Sequence, residues 1–306
     1  MIRWFFFAVV VGLLVGVSTA YFLKALDGSI AFTAQWKWTF LFLPAAFVLS
    51  TFLVKRFAPA AEGHGTEKVI EAYHRNSGFI RFAVVPVKAL ATIVTIAVGG
   101  SAGKEGPSAQ IGAGLASKLA DLLRFRTEDR KKLVVCGISA GFAVVFGTPI
   151  AGAIFGVEAL FVGAIVYDVL FPSFVAGIVA FGTARWVGLM HAQQFQHFTV
   201  ATDPVLMVQV LFAGVFFGLL ALTLIESMRL AHKMAKRMNL PPVLVAMAGG
   251  GILVALTLVV GRDYLGLGLT QTVEVIQGGG SAAVRALCQD GIHQHYTKFR
   301  WEWRYT

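Results

Sequence analysis

Acidic residues are scarce in this chain: 16 Asp and Glu stand against 26 Lys and Arg in 306 residues, and charge of either sign makes up only 14%. A soluble domain carries about 25%, so an ordinary water-facing surface is excluded. Cysteine is rarer still. Cys136 and Cys288 lie far apart, which rules out a disulfide framework or a thiolate metal site; Cys136 reads as a free thiol packed among apolar neighbours.

What fills the chain instead is apolar: 57% hydrophobic residues and a mean hydropathy of +0.74. Uncharged runs over 4–23, 133–157, 204–225 and 239–261 are each long enough to cross roughly 30 Å of hydrocarbon as a helix. Shorter runs over 40–54, 89–103, 159–167 and 169–184 suit tilted, broken or half-spanning helices. These runs predict an all-α, polytopic membrane protein whose first partner is the lipid bilayer. The first run follows Arg3 as a secretory leader would, but it is too long, has no convincing cleavage site and is followed by further spans, so it reads as a retained helix.

The net charge of +10 is concentrated in what read as short loops: Lys55 and Arg56, "RFRTEDRKK" (124–132) and "RLAHKMAKR" (229–237). The long polar stretch "RWVGLMHAQQFQHFTVATDP" (185–204) has one arginine. The positive-inside rule places the three basic segments in the cytoplasm, with the N-terminus on the same side, and a bacterial inner membrane is the expected location. No basic face interleaved with stacking groups is present, so nucleic acid is not an expected partner.

Two pairs of segments repeat in order and at similar offsets. "VVVGLLVGV" (9–17) is similar to "FFGLLALTL" (216–224), and "EGHGTEKVIEA" (62–72) to "LGLGLTQTVEV" (265–275). A cation-poor loop follows the first helix and a basic segment follows its counterpart, so the copies are expected to cross in opposite directions, as inverted repeats do. The organisation predicted is a first repeat over 1–200, a partial second repeat over 201–287 and an aberrant tail over 288–306. Read one base later with freely chosen synonymous codons, that tail yields "AKMVFTSITLSSGGNGGT", similar to residues 87–105. Its Lys, two Thr and Gly-Gly fall in register with Lys88, Thr92, Thr95, Gly99 and Gly100. Because Trp has one codon, Trp301 before Glu302 and Trp303 before Arg304 must each become Gly. The tail is therefore expected to be frameshifted and the second repeat cut short.

The chemistry concentrates in "VGGSAGKEGPSAQIGAG" (98–114). Gly99, Gly100, Gly103 and Gly106 permit an unwound backbone, and Pro107 suits the first turn of a helix over "SAQIGAGLASKL". A helix that starts inside a membrane offers unpaired N–H groups and the positive end of its dipole, which together bind an anion. Glu105 sits where such an anion would sit; its carboxylate competes for the place and vacates it on protonation or rotation. That is a gate. A phosphate loop is excluded, because Val98 and Glu105 stand where that motif needs a glycine and a hydroxyl. Capping of the helix start by Glu105 is the plainer alternative, but ionisable residues inside a membrane default to function.

"GKEGP" (103–107) resembles the G(K/R)EGP signature of the CLC chloride channels and chloride/proton antiporters, and "GISAGFAVVFGTPIAGAIFGVEAL" (137–160) resembles a second motif of that family. The resemblance runs from the first helix to about Leu287. It implies an all-α, CLC-type inverted-repeat fold, here with an incomplete second half, and transmembrane movement of chloride or a related small inorganic anion. It implies no enzymatic activity and no cofactor. Carried over, Glu105 is the external gating glutamate, with Gly103, Lys104, Gly106 and Pro107 at the anion site; for Lys104, pairing with Glu158 or snorkelling is as good an expectation. Glu158 and Pro149 belong to the surrounding shell. The family's first anion motif, GSGIP, corresponds to "GHGTE" (63–67). Gly63, His64 and Gly65 are then anion-binding, with an imidazole donor replacing the serine hydroxyl and adding a group that titrates near neutral pH. Ala159 stands where antiporters of the family carry an internal proton-transfer glutamate, so proton coupling by that route is not expected. The resemblance also implies a homodimer, whose usual surface draws on late helices.

Two rival readings remain. His64, Glu67, Glu71 and His74 share a face if one helix carries all four, and "EAYH" has the Glu-x-x-His spacing of di-metal carboxylate bundles; partner ligands on other helices are few, Glu158 and Asp168 among them. The other rival is a non-transporting fragment of the family, since half an anion cradle leaves helix ends in the membrane without partners.

Overall fold

The computed structural model describes residues 2–160, 167–189, 204–237 and 240–268, and no strand occurs among them. Ten helices follow in order: α1 (Ile2–Thr33), α2 (Leu43–Phe57), α3 (Thr66–Arg75), α4 (Val84–Ala97), α5 (Glu105–Leu122), α6 (Thr127–Phe146), α7 (Pro149–Glu158), α8 (Tyr167–Trp186), α9 (Pro204–Arg237) and α10 (Pro242–Val260). Short 3₁₀ turns over Thr39–Phe42 and Pro59–Ala61 flank α2. Five helices, α1, α2 with its preceding turn, α8, α9 and α10, are long and apolar enough to cross a membrane.

The core forms around α5 and α6. Every residue from Leu133 to Val145 is buried, because α6 is enclosed by α1, α5, α7 and α8. Small residues set the separation: at the α5–α6 crossing a side chain on Gly112 would meet the Gly137 carbonyl, and one on Gly137 the Gly112 carbonyl. Such close approach is how helices associate in lipid, where packing rather than water exclusion drives contact. On the far side of α6, α1 lies against α8, where Gly12 and Gly16 face the backbone oxygens of Ala176 and Ala180. Cys136 is buried and free.

Three expectations need correction. The run 133–157 is two helices, because Gly147 takes a left-handed conformation (φ 69°) that ends α6 and Pro149 opens α7. The basic segments sit at helix ends rather than in loops: Lys55 and Arg56 in the last turn of α2, 127–132 at the start of α6 and 229–237 at the end of α9, since Lys, Arg, Met and Ala are all good helix formers. The third concerns 63–74: α3 begins only at Thr66, after Gly65 at φ 95°, so His64 lies outside the helix that carries Glu67, Glu71 and His74. The segment 288–306 and its reading frame lie outside the described residues.

α9 has no buried residue, and α10 touches the rest at α2, where Gly250 rests on Pro44. Exposed Leu211, Phe212 and Phe217 along α9 suit contact with lipid chains.

Candidate functional site

α4 runs out at Ala97, and Gly99, at φ 100°, turns the chain into an extended stretch that leads to α5. α5 then begins at Glu105 with Pro107 in its first turn. The predicted interruption is therefore present. The starts of α3 and α5 meet: Gly65 packs against the Gly106 carbonyl, and Gly106 faces the His64 carbonyl so closely that no side chain fits at either position. Gly65 also needs its left-handed φ to turn into α3.

This junction forms one wall of a cavity of about 630 Å³. Gly63, His64, Gly103, Glu105, Gly106 and Pro107 all line it, and α2 and α4 complete it with Lys55, Lys88, Thr92 and Thr95 among others. The first backbone N–H groups of α3 and α5 have no acceptor within their helices, as at any helix start, and neither start carries a side-chain cap. Two positive dipole ends thus converge on one cavity. Glu105 is half-buried, and its carboxylate folds back over Gly103. His64 is exposed to the cavity.

Four of the residues singled out in the sequence do not line the cavity: Gly65, which is buried where the two helix starts meet, and three others. Lys104 precedes α5 and does not line the cavity. Glu158 is exposed at the end of α7, and no Lys104–Glu158 ion pair forms. Pro149 opens α7, with its carbonyl near Gly177 rather than the cavity. The metal face is not assembled. Glu71 accepts a hydrogen bond from Lys68 at 2.9 Å, which holds its carboxyl below the usual range, helped by the charges of Lys68 and Arg75. His74 Nε2 lies 3.0 Å from the Leu160 carbonyl. No cluster of metal-ligating side chains occurs among the described residues.

Two buried polar groups that no motif marks hold the loop leading into α3. Lys88 Nζ donates to the carbonyls of Gly63 at 2.6 Å and Ala61 at 3.0 Å. Gln110 Nε2 donates to the Ala60 carbonyl at 2.8 Å. The available signal was a lone lysine inside "VVPVKALATIVTIA", where a buried cation must find partners.

The family model for voltage gated chloride channels matches residues 46–292. A "Chloride/fluoride channel protein" of Pseudomonas syringae pv. tomato is 33% identical over 282 residues, covering 90% of this chain and 62% of that protein; the chain thus spans less than two thirds of that relative's length. A solved CLC-type fluoride/proton antiporter superposes with a TM-score of 0.85 at 26% identity, covering 91% of this chain and 71% of the other. A slow cyanobacterial Cl⁻/H⁺ antiporter gives 0.68 at 25% identity, covering 81% of this chain and 61% of the other. With the broken helix, the paired helix starts and the family match over most of its length, this chain belongs to the voltage-gated chloride channel (CLC) family of integral membrane proteins.

Proposed function

We propose that this chain moves a small halide across the membrane through the cavity at the α3–α5 junction, with Glu105 as the gate. One observation carries the reading: two helix starts with unpaired amides converge on a cavity whose wall also holds an acidic side chain. An anion at the junction takes the place that the Glu105 carboxylate can occupy, so the two exclude each other. Gly63 and Gly106 bring backbone to the ion without a side chain in the way, Gly65 lets the two helix starts close up, and His64 supplies an imidazole donor. Fluoride stands beside chloride as a candidate, because the names of the relatives include a chloride/fluoride channel and a fluoride/proton antiporter. Ala159 offers no carboxylate for an internal proton step, so we propose anion movement without that route.

Two further features support the architecture proposed from the sequence. Gly266 and Gly268 take φ of 73° and 68°, matching the left-handed Gly63 and Gly65 at 84° and 95° in the segment they are aligned with, as a repeated unit would. Arg3 Nη2 lies 3.1 Å from Asp129 Oδ2, so the N-terminus and the basic 124–132 segment share a side of the protein. The positive-inside rule makes that side cytoplasmic.

The test is halide efflux from liposomes holding the purified chain, with fluoride and chloride in parallel and proton flux recorded at the same time. The wild type is expected to release at least one of the two ions, and Glu105→Gln to release it faster. Folded protein that releases neither ion refutes the proposal.

A further inference from the structure

The first turn of α1 meets the turn between α5 and α6 in a corner of cations set against aromatic rings. Arg3 Nη2 lies 3.1 Å from Asp129 Oδ2. The Arg3 guanidinium carbon stands 5.1 Å from the centre of the Phe125 ring and 5.8 Å from those of Trp4 and Phe7. Phe125 packs edge-on against Phe7, with ring centres 4.8 Å apart, and Lys132 Nζ is 5.5 Å from the centre of Trp4. Rings at these distances attract and orient a cation.

The charge of this corner is not balanced. Asp129, Asp168 and Asp121 pair with Arg3, Lys132 and Arg130. Arg124 and Arg126 flank Phe125, are exposed, and have no carboxylate within ion-pair distance among the described residues. Lys131 has none either and sits over the Tyr73 ring. Within 121–132 these three cations face one remaining carboxylate, that of exposed Glu128. The backbone at Arg124 adds a second sign. α5 closes with the Phe125 N–H donating to the Ala120 carbonyl at 2.9 Å, and Arg124 takes the left-handed φ of 52° that such an ending needs. Glycine is the usual residue there, so the arginine holds its place against a backbone preference.

Beside the cations, α1 turns Ile2, Phe5 and Phe6 outward, all exposed. α1 is long and apolar enough to span a membrane, so these side chains meet hydrocarbon, and Trp4 beside them marks headgroup depth. An occupant that satisfies both parts needs a phosphate for the arginines and acyl chains for the phenylalanines. A soluble phosphate answers only the first. A zwitterionic lipid brings its own cation to a place already rich in them.

We infer that this corner binds an anionic phospholipid, its phosphate held by Arg3, Arg124 and Arg126 and its chains lying along Ile2, Phe5 and Phe6. The guanidinium fork matches a phosphate through paired N–H donors, and basic side chains at a membrane surface draw anionic lipid. The lipid ties the start of α1 to the far end of α5, away from the halide cavity where α5 begins.

The experiment uses the purified full chain in detergent and reads the lipid fraction at half-maximal rise of the melting temperature, with phosphatidylglycerol and phosphatidylcholine added separately. The variants are Arg124→Asn with Arg126→Gln, asparagine being chosen because it tolerates a left-handed φ. The control is Lys233→Gln with Lys236→Gln, which removes the same charge from exposed positions on α9. Phosphatidylglycerol is expected to raise the wild-type melting temperature, and phosphatidylcholine to raise it little. The arginine pair is expected to weaken the phosphatidylglycerol midpoint about tenfold or more, at about fivefold per arginine, while the control stays within about threefold. A midpoint shifted less than about threefold in the arginine pair overturns the inference. So does an equal loss in the control, which would make the effect one of total charge. Equal responses to the two lipids, or the same rise from glycerol 3-phosphate alone, also overturn it. Should the double variant fail to fold, Arg126→Gln alone decides: about fivefold weakening is expected, and less than about twofold overturns the site.

Discussion

Glu105 and His64 occupy the same cavity wall but differ in what they can contribute. Glu105 is half-buried, with its carboxylate over Gly103 at the start of α5, where an anion would bring a second negative charge to the same dipole end. Removing the charge removes the competition, so a neutral side chain at this position is expected to leave the gate open. In Glu105→Gln the side chain carries no charge, and halide flux should rise above that of the wild type; liposome efflux of the two proteins side by side checks this. His64 offers one donor in place of a hydroxyl. Losing one neutral hydrogen bond costs about 0.5–1.5 kcal/mol, so His64→Ala should weaken half-saturation by roughly two- to tenfold, and His64→Ser should recover most of it. Equal half-saturation in all three proteins would remove His64 from the site. Both residues were legible as candidates because unusual chemistry stood inside a greasy or glycine-rich stretch. Lys104, beside Glu105 in the same motif, was equally conspicuous, yet it precedes α5 and does not line the cavity.

Among the elements, the break between α6 and α7 shows where apolar periodicity stops being informative. Residues 133–157 carry no charge until Glu158, and by composition they form one span; Gly147 and Pro149 divide it through backbone geometry that hydropathy does not report. The α5–α6 crossing is decided by contacts between distant glycines. Gly112 and Gly137 each face the other's carbonyl, so Gly137→Val must push the helices apart. Overpacking of this kind costs about 1–3 kcal/mol, read as an earlier melt in detergent. Gly214 on α9 has nothing within 4 Å of where a methyl would go, and Gly214→Ala should change stability by less than about 0.5 kcal/mol. Equal losses at the two positions would contradict the packing described. The four-residue metal face failed for a related reason: it assumed one helix over 64–74, and Gly65 starts that helix after His64.

For the whole molecule, the two features with most consequence are sidedness and the exposed α9. Arg3 and Asp129 place the N-terminus beside the basic start of α6, so single cysteines introduced at Ile2 and at Arg126 should react with an impermeant thiol reagent from the same face of a sealed vesicle. Reaction from opposite faces would break the proposed orientation. The pair itself is an exposed salt bridge, and Asp129→Asn should cost no more than about 1 kcal/mol. α9 is apolar over 204–225 and buries nothing among the described residues, which water would not tolerate as a free surface and lipid accepts.

Membrane residence, helical class, the interruption before Glu105 and the identity of the gate candidate were all determined by sequence alone. They follow from properties carried by neighbouring residues: hydropathy over a span, glycine and proline at a helix start, and a carboxylate where apolar residues surround it. Only the tertiary structure decided which helix starts face each other, that Lys88 and Gln110 hold the loop leading to His64, and that Lys104, Glu158 and Pro149 stand away from the cavity. Those outcomes depend on how closely glycine-lined helices approach and on the direction in which each side chain leaves its helix, and both are set by contacts between residues far apart in the chain.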